Sequence, residues 1–586
     1  MRTTLKTFAV CFAALLMAAC GGGGGGGGND IGVELTAAGS ATTVTPGAAL
    51  TLKANVTNTS NNMDVTWTLS GPNCPSNCGT ITRTSVDFAD YKAPSPVRTA
   101  FQVTVTATSI EDPSKSGSYQ LTVSACAANS GMLSGQYAFL LQGFEQTTGN
   151  GIAAVGSFNA DGCGNIVSGA TDYFLGTQPG ASTFTGGTYD IGADQRGTIR
   201  VPIGTTPMNF AIALGKLSGG IAGKGALTEI DPAATGGPVF SGAIWQQDPT
   251  AFALSSLTNR FAYVLNGWSG SPVARTGIGG TVSLDGAGHF TNGRQDKVVF
   301  NTAATTGQTW SATSTNFSTS TGRMGLPTSA FASVNSADVV AYVVSAGHLL
   351  VIGSGTSGQI LSGEMLAQAG TFGLSSLNGN YVSYQTANQS LATTNSTMST
   401  VLGVGSADGN GNLTFSVDQN NGGSASQQAG ITGWTYSVDS DGHATIMAPG
   451  PIDGGRWYLT AQNTGLMLGF DAGLSIGAIL PQASGAFSNA SISGTYAATQ
   501  ARGAGAKSTN SSGVGVSSGN GAIATTMDVN SNGVFSTGQT ASSTLNIGTN
   551  GRGTDNSGNP IYVVSPTRFL TMSNSTSYPT ILDFEQ

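Results

Sequence analysis

Four cysteines supply the clearest covalent chemistry in this sequence. Cys74 and Cys78 are separated by Pro-Ser-Asn, and Cys126 and Cys163 follow further along the chain. In an exported chain such cysteines form disulfides, and we predict the pairs Cys74–Cys78 and Cys126–Cys163. A zinc site is the alternative, although no histidine lies near the first pair in the sequence.

One of the many Asp-Gly and Asn-Gly turn segments has the spacing of a calcium loop. Asp528, Asn530, Asn532 and Gly533 fit the first six positions of such a loop. The twelfth position is Gln539, which cannot supply the bidentate carboxylate that the loop requires. We therefore expect this segment to be a turn and predict no cofactor. Asp528, Asn530 and Asn532 are the candidate ligands if calcium binds.

No set of residues has the spacing of a catalytic centre. Gly-x-Ser-x-Gly strings surround Ser475 and Ser517, but His289, His348 and His443 all precede both serines. The α/β-hydrolase order places the histidine after the serine. His289 and His443 directly follow predicted hairpin turns, so we expect exposed turn residues and no catalytic residue.

The six tryptophans are candidates for ligand contact or for core packing. Trp67 and Trp245 lie in predicted strands, and we expect both in cores. The other four stand beside glycine and polar residues, where an exposed indole ring would stack on sugar rings. The carbohydrate candidates are Trp268, Trp310, Trp434 and Trp457. Burial at a barrel mouth or between copies of a repeat is the alternative.

The N-terminus has the pattern of a secretory signal. Arg2 and Lys6 precede an apolar run over 8–17, which is too short for a stable transmembrane helix. Leu-Met-Ala-Ala-Cys at 16–20 resembles the lipobox of bacterial lipoproteins, with Met17 where that family more often has Leu. The resemblance implies a signal peptide over 1–19, and lipid on Cys20 at the start of the mature chain.

Charge excludes several classes of partner. Charged residues make up 9% of the chain, and removal of the signal peptide would leave 19 basic and 29 acidic side chains. A weakly acidic chain disfavours nucleic acid and anionic lipid surfaces. We therefore expect no nucleic-acid partner, and membrane attachment through the lipid on Cys20, with 20–31 as a glycine-rich linker.

Gly21 is not the aspartate that retains lipoproteins at the inner membrane of enteric bacteria. By that resemblance we expect the outer membrane or cell surface.

Residues 32–125 have the alternation of a β-sandwich. Apolar and polar residues alternate from Leu50 to Val56 and from Phe101 to Ala107, between Pro, Gly and Asn turns. Tyr-Lys-Ala-Pro at 91–94 and the strand at 103–109, followed by Asp-Pro-Ser-Lys, resemble bacterial Ig-like domains of the group 2 kind. The resemblance implies a spacer or stalk and brings no catalytic residue.

Four copies of a repeat of about 120 residues follow, over 128–253, 254–372, 373–488 and a shorter 489–586. Each copy opens with a pattern that ends in an aromatic residue: Tyr137, Phe261, Tyr381 and Tyr496. We place a turn marker at Asp161, Asp285, Asp408 and Asp528. A closing strand ends in glutamine in three copies, at Gln247, Gln368 and Gln482. Beyond the turn aspartate, we identify no acid that the copies share.

Apolar alternation predicts eight strands in the first copy, near 136–143, 151–159, 164–173, 184–191, 196–202, 208–214, 223–230 and 239–246. Such a meander can close into an up-and-down barrel, and a twisted open sheet or sandwich is the alternative. The predicted fold is all-β, with an N-terminal Ig-like sandwich before four tandem antiparallel β-meander or barrel-like repeats.

These features predict a lipid-anchored surface protein with a non-catalytic role in adhesion, envelope structure or extracellular polymer binding. Its expected partners are the membrane and an extracellular polysaccharide or another surface protein. Two alternatives stay open. A polysaccharide hydrolase would need two acids of raised pKa in a cleft of one copy. A carrier of a small apolar ligand would need an open, apolar lumen in at least one copy.

Overall fold

The chain forms two compact units, one up to Pro94 together with Ala100–Ser124, the other Ser95–Thr99 together with Ala125–Gln586. The computed structural model describes residues 30–60, 62–146, 150–175, 179–231, 238–269, 274–327, 330–331, 338–355, 359–388, 398–450, 452–471, 474–501, 509–531, 533–574 and 579–586. Both units are built of strands, which confirms the all-β prediction. Within these ranges, no helix has the length and apolar character needed to cross a bilayer.

The first unit is a sandwich of two four-stranded sheets. Its strands are β1 Gly32–Ala37, β2 Thr43–Val44, β3 Ala49–Thr57, β4 Val65–Ser70, β5 Thr80–Arg83, β6 Phe88–Lys92, β7 Phe101–Ser109 and β8 Ser116–Val123. The sheet orders are β1-β3-β6-β5 and β2-β8-β7-β4, and β2 runs parallel to β8. Leu52, Tyr91, Val103 and Leu121 are fully buried, as the period-two alternation of their strands requires.

The second unit contains four antiparallel meanders, one for each predicted copy. The first copy consists of β9 Ser134–Glu145, β10 Gly151–Asp161, β11 Ile166–Phe174, β12 Pro179–Phe184, β13 Thr188–Ile191, β14 Arg196–Ile203, β15 Thr206–Ser218, β16 Ile221–Glu229 and β17 Pro238–Gln246. The second consists of β18 Arg260–Ser269, β19 Ala274–Leu284, β20 His289–Val299, β21 Thr305–Thr313, β22 Asn316–Phe317, β23 Arg323–Leu326, β24 Asp338–Ser345, β25 His348–Ser354 and β26 Ile360–Ala367.

The third and fourth copies have eight strands each and form closed barrels. The third consists of β27 Asn378–Asn388, β28 Met398–Asp408, β29 Asn412–Asn421, β30 Ser424–Val438, β31 His443–Ala448, β32 Ile452–Ala461, β33 Thr464–Leu468 and β34 Ile476–Pro481. The fourth consists of β35 Ser493–Gln500, β36 Thr509–Ser518, β37 Ala522–Ser531, β38 Val534–Ile547, β39 Arg552–Asp555, β40 Pro560–Ser565, β41 Arg568–Met572 and β42 Ile581–Glu585. Short 3-10 turns occur at Ala38–Ser40, Ser130–Met132, Pro249–Ala251, Leu254–Ser256, Leu374–Ser376 and Asn489–Ser491.

In each copy the first strand pairs with the last, so that every sheet rolls up around its own core. Within the described residues, the first two copies are nine-stranded sheets whose edge strands are not paired with each other, and the last two are closed barrels; we call all four barrels. The first two copies have nine strands because their fourth strand is interrupted, in the first copy at Gly186 and Gly187, which both have positive φ. The opening aromatic residue of each copy is buried inside the barrel. Glycine on the next strand makes room for it, since a Cβ atom at Gly405 would overlap the Tyr381 ring.

The four barrels of the second unit form a closed ring. The first two strands of each barrel pack against the sixth and seventh strands of the next, and those of the fourth pack against β15 and β16 of the first. Apolar side chains fill the seam between the first and second barrels, including Leu140, Val155, Val340 and Leu350. Similar clusters fill the seams between the second and third and between the third and fourth barrels. The strands at these seams are therefore buried on both faces.

A buried aspartate on the third strand of each barrel links it to its neighbour. This aspartate accepts a hydrogen bond from the basic residue that begins the fifth of the eight strand positions of the next barrel. In ring order the pairs are Asp172–Arg323, Asp296–His443, Asp418–Arg552 and Asp528–Arg196. At three seams a tyrosine hydroxyl also donates to the aspartate, from Tyr342, Tyr458 and Tyr562. We call each of these groups an aspartate clasp.

The closing glutamines strengthen the first three seams. The Gln482 side-chain amide donates to the Val563 carbonyl at 2.9 Å, and the Ala483 backbone N–H donates to the Val564 carbonyl at 2.8 Å. Gln247 and Gln368 repeat this arrangement at the two preceding seams. The third sequence marker is thus a contact between copies as well as the end of a strand.

The seam between the fourth and first barrels carries several polar contacts. Arg196 Nη2 lies 2.5 Å from Asp528 Oδ1, and Asn530 Nδ2 donates to the Glu229 carbonyl at 2.8 Å. Lys224 Nζ lies 2.9 Å from Glu585 Oε2. The four copies therefore close on one another without a covalent bond at this seam.

Candidate ligand-binding site

The described residues of the fourth barrel leave a cavity of about 290 Å³ in its lumen. Its wall comes from β37, β38, β40, β41 and β42, together with Asp555 at the end of β39 and with Ser557, Asn559, Ser573 and Thr580. Apolar side chains from these strands form one part of the wall, and serine, threonine and asparagine side chains form the rest. A concave, mainly apolar space with a few polar groups is the usual form of a small-molecule site.

The lumen of the third barrel shows why the fourth has space. Phe415 and Trp434 contact each other there, with ring centroids 5.3 Å apart. Trp457 and Met467 lie in the same apolar cluster and are buried. These four side chains fill the volume between β29, β30, β32 and β33, as the interiors of small barrels require.

The strand register identifies the equivalent positions of the fourth barrel. Leu413 pairs with Trp434 on β30, whereas Ile523 pairs with Ser543 on β38. Trp457 pairs with Met467, whereas Ile561 pairs with Thr571. In the fourth barrel, Thr525, Ser543, Ile561 and Thr571 thus replace Phe415, Trp434, Trp457 and Met467. Four large side chains are exchanged for smaller ones, while Phe569 and Phe584 stand where the third barrel has Gly465 and Ile479. The cavity is the space that these two rings do not fill.

The cavity wall has no cationic side chain among its described residues. Asp555 is its one described acid, and that carboxylate is already occupied. It accepts hydrogen bonds from the backbone N–H groups of Ser557 and Asn559, at 2.8 and 2.9 Å, and from the Asn559 side chain at 2.9 Å. The free polar capacity of the wall is therefore in neutral hydroxyl groups.

A second cavity, also of about 290 Å³, lies where the closing strands of the four copies meet. Its charged side chains neutralise one another, because Arg568 binds Asp583 in a bidentate pair and Lys224 binds Glu585. Burial first, and then Lys224 and Arg568, act on the Glu585 carboxyl, and the cations lower its pKa to about 2. The remaining acid of the lining, Glu364, lies 2.9 Å from His348 Nε2, so each charged side chain of this cavity has a partner in the protein.

The structure joins the cysteines in the two predicted pairs, Cys74–Cys78 and Cys126–Cys163. The second bond fastens the start of the first barrel to its β10–β11 turn. The Val97 backbone N–H points at this bond, 3.2 Å from Cys126 Sγ. Cys20 lies outside the described residues.

None of the four carbohydrate candidates stands as a freely exposed ring. Trp310 is 7% exposed inside the second barrel, where its indole N–H donates to the Tyr263 hydroxyl at 2.9 Å. Trp434 and Trp457 fill the third barrel, and Trp268 packs against the seam between the first and second barrels. The alternative expectation, burial in barrels and between copies, describes all four.

Trp245 departs from its expected place in a barrel core. Ile244 occupies that core, and Trp245 lies on the outer face of β17, half-buried beside the cavity between the closing strands. Its ring meets the His348 ring edge-on at 5.4 Å. Successive strand residues point to opposite faces, so one step of register separates the two positions.

The fourth turn marker was wrongly placed in the sequence. Asp528 lies within β37, 2% exposed, and the β36–β37 turn instead contains Ser518, Gly519, Asn520 and Gly521. The Asp-x-Asn-x-Asn spacing that begins at Asp528 is similar to the turn pattern of the other copies, whereas the turn of the fourth copy has Ser518 where the others have aspartate. Asp528 therefore shares its position with Asp172, Asp296 and Asp418, and the copies share a buried acid that the sequence prediction missed.

The calcium ligands are accordingly committed to other contacts. Asp528 accepts hydrogen bonds from Arg196 and from the Gly538 backbone, and the Asn530 side chain links to Glu229 and Gly533. Asn532 lies outside the described residues. Across the part of the chain that is described, no three His, Cys, Asp or Glu side chains gather as a metal site would require.

His443 is a buried clasp residue and not an exposed turn residue, contrary to the prediction. It is 2% exposed, and its Nε2 lies 2.6 Å from Asp296 Oδ2. Burial acts to raise the pKa of Asp296, but the hydrogen bond and charge of His443 outweigh burial and hold that pKa below its usual value. His289 is exposed and binds the turn residue Asp285, as its position predicted.

Glu229 and Asp231 are the pair of acids closest to the hydrolase expectation. Burial, and then the charge of Asp231, raise the pKa of Glu229 to about 8. However, Glu229 is only 4% exposed, and its carboxylate lies beside the Asp231 backbone N–H and not in a described cavity. The pair thus has the electrostatics of an acid dyad without the access that a substrate needs.

The chain has a distant neighbour among solved structures. No protein-family model matches the chain. No curated protein matches it either. A solved structure of a protein of unknown function from the DUF3598 family of Nostoc punctiforme aligns over 50% of this chain and 93% of its own length, at 10% identity and a TM-score of 0.13. A likeness at that level carries no argument about fold or function.

Proposed function

We propose that this is an exported, lipid-anchored envelope protein that binds a small, largely apolar molecule in its fourth barrel and does not catalyse a reaction on it. The observation that carries the proposal is the exchange of four space-filling side chains of the third barrel for Thr525, Ser543, Ile561 and Thr571. Removal of apolar surface from water supplies the driving force, at about 25 cal/mol per Å².

The anchoring part of the proposal is supported by the N-terminal pattern and by the two disulfides, which form and persist in oxidising compartments. We expect wild-type cells grown with labelled palmitate to label the protein, and Cys20→Ser to abolish the label. Recovery of an unlabelled wild-type chain that retains residue 1 would refute the anchor.

The binding part is tested with the uncharged dye 1-naphthylamine, whose emission shifts to shorter wavelength in apolar surroundings and whose size suits a cavity of about 290 Å³. The protein is the mature chain with Cys20→Ser, which carries no lipid and needs no detergent. Ser543→Trp restores the side chain that fills the third barrel, and we expect at least a tenfold loss of dye affinity. Ser542→Trp, on the adjacent exposed position of β38, is the matched control and should bind as the parent does.

Both tryptophan variants are first compared with the parent by thermal unfolding, so that a misfolded protein is not read as a filled lumen. The proposal fails if the parent binds no dye, or if Ser543→Trp and Ser542→Trp bind it equally well. A dye site elsewhere on the chain would produce that second result.

Capture of an extracellular polymer is the second candidate function. It is favoured by the uncharged Ser424–Gly430 segment of β30, in which every residue is exposed, and by its equivalent in β38. Neutral hydroxyl and amide side chains suit sugar hydroxyls. A pull-down with insoluble polysaccharides tests this role, and Ser543→Trp should not affect it.

A further inference from the structure

We propose that the ligand of the fourth barrel is an uncharged amphiphile, with one hydroxyl, carbonyl or amide group on an apolar body of about ten non-hydrogen atoms. This inference rests on the proposed function and names the class of molecule that the same lumen takes.

The apolar body has a defined place in the lumen. Ile523, Leu545, Phe569 and Phe584 are buried and line one part of the cavity. The Phe569 and Phe584 rings are stacked with centroids 4.6 Å apart, which makes this part of the wall flat and fixed. Such a surface offers dispersion contacts and no hydrogen-bonding group.

Two hydroxyl groups provide the polar contact. The side chains of Ser543 and Thr571 line the cavity, and within the described ranges neither hydroxyl has a hydrogen-bond partner in the protein. A hydroxyl both donates and accepts, so it pairs equally well with an alcohol, a carbonyl or an amide. In the third barrel Trp434 and Met467 hold these positions, so the two hydroxyls arise together with the cavity.

Charge excludes ionic ligands. A carboxylate or phosphate would lose its hydration without meeting a cation, since none of the described wall residues is basic. An ammonium group would meet one carboxylate, Asp555, which already accepts three hydrogen bonds from Ser557 and Asn559 and has about one acceptor position left to replace the hydration of that group. A neutral head group has neither penalty.

The volume limits the size of the ligand. A cavity of about 290 Å³ holds on the order of ten water molecules, at about 30 Å³ each. A molecule with about ten non-hydrogen atoms therefore fills it. Longer alkyl chains have to leave part of their surface in water, so their affinity stops rising.

The experiment displaces the bound dye with butan-1-ol, hexan-1-ol, octan-1-ol, octanoate and octylammonium at pH 7. We expect affinity to rise about fourfold for each added methylene in the alcohols. Octanoate and octylammonium should bind at least tenfold more weakly than octan-1-ol. The double variant Ser543→Ala and Thr571→Val should weaken octan-1-ol about tenfold while dye affinity changes less than twofold.

Thr544→Val, at an exposed position of β38, is the control for the double variant. If no compound and no dye binds, the proposed function itself fails. If the dye binds but octanoate or octylammonium matches octan-1-ol, the inference about ligand class is overturned while the proposed function stands. Unchanged octan-1-ol affinity in the double variant would likewise overturn the assignment of the two hydroxyls.

Discussion

The aspartate clasp between the third and fourth barrels makes a quantitative prediction about the ring. Asp418 is 5% exposed and accepts from Arg552 Nε at 2.7 Å, from Arg552 Nη2 at 2.8 Å and from the Tyr562 hydroxyl at 2.7 Å. Asp418→Asn keeps the side-chain shape but removes the charge and forces an N–H group towards the guanidinium. We expect this seam to lose stability.

The magnitude follows from the burial of the pair. Breaking a buried ion pair by changing one partner costs about 3–5 kcal/mol. The Arg552 side chain keeps 21% of its surface exposed and can partly rehydrate, so we expect the lower end, about 3 kcal/mol. That free energy corresponds to an opening of the seam about 10²-fold more frequent.

Amide hydrogen exchange at Ala483 measures this opening directly, because the Ala483 N–H is bonded to the Val564 carbonyl across the seam. The control is Asp439→Asn, which breaks an exposed ion pair with Arg294 between the second and third barrels. Exposed pairs contribute about 0.2–1 kcal/mol, so exchange at Ala369 should rise less than about fivefold. Equal effects of the two substitutions, or less than a threefold effect of Asp418→Asn, would refute the clasp as a source of stability.

Four further predictions follow from burial, charge and the cross-link in the first barrel. Glu229 has its pKa raised to about 8, so between pH 4.5 and 8 it holds a proton in the folded state and releases that proton on unfolding. The free energy of unfolding should therefore fall as pH rises through this window, by roughly 1.4 kcal/mol per pH unit. Urea titrations measure this slope, and Glu229→Gln should remove it. Glu585 has its pKa lowered to about 2, so its contribution should be complete above pH 4.5 and disappear as pH falls towards 2. Replacing Cys126 and Cys163 by serine removes a cross-link of sequence separation 37 and should lower the free energy of unfolding by about 4 kcal/mol by the chain-entropy relation. Urea unfolding measures this loss, and the unsubstituted protein reduced with dithiothreitol should lose at least as much. Trp434→Ser should open a lumen in the third barrel, lower stability by about 3–5 kcal/mol and add a second dye site; an unchanged dye stoichiometry would contradict the role given to this side chain.

The sequence was sufficient to predict the barrels because their signals are local. Seven of the eight predicted strands of the first copy match β9–β11 and β14–β17, and the fourth, predicted near 184–191, matches β13 but leaves out β12. Tyr137 and its equivalents mark the buried start of each barrel, and Asp161 accepts from backbone N–H groups in its turn. Each of these features depends on residues a few positions apart.

The ring was not predicted, because its contacts join residues far apart in the sequence, as the 81 positions between Gln482 and Val563 show. A signal for it was nevertheless present. Asp172 and Asp296 stand eleven residues after their turn aspartates, and Asp418 stands ten after its own. The fourth copy concealed the pattern, since Ser518 replaces the turn aspartate and Asp528 was aligned with the turn. The continuous apolar runs in β24 and β25 were the other available sign, because they indicate strands covered on both faces.

The cavity could have been suspected from composition. The fourth copy contains no tryptophan, whereas the second and third contain two each. A small barrel without the tryptophans of its neighbours must shrink, fill the volume with other side chains such as Phe569 and Phe584, or leave space. The choice between these outcomes depends on the strand number and register, which the sequence pattern does not determine.

Closure of the four barrels constrains how the copy number of this protein can change. In an open solenoid an extra repeat meets the same kind of neighbour as every other repeat. Here Arg196 and Asp528 already form an ion pair between the fourth and first barrels. An additional copy would have to break this pair before it could pack against either barrel. Circular permutation faces no such obstacle: new termini between residues 372 and 373 would leave all four seams in place. Duplication of a copy should therefore be far more damaging than a permutation of the same gene.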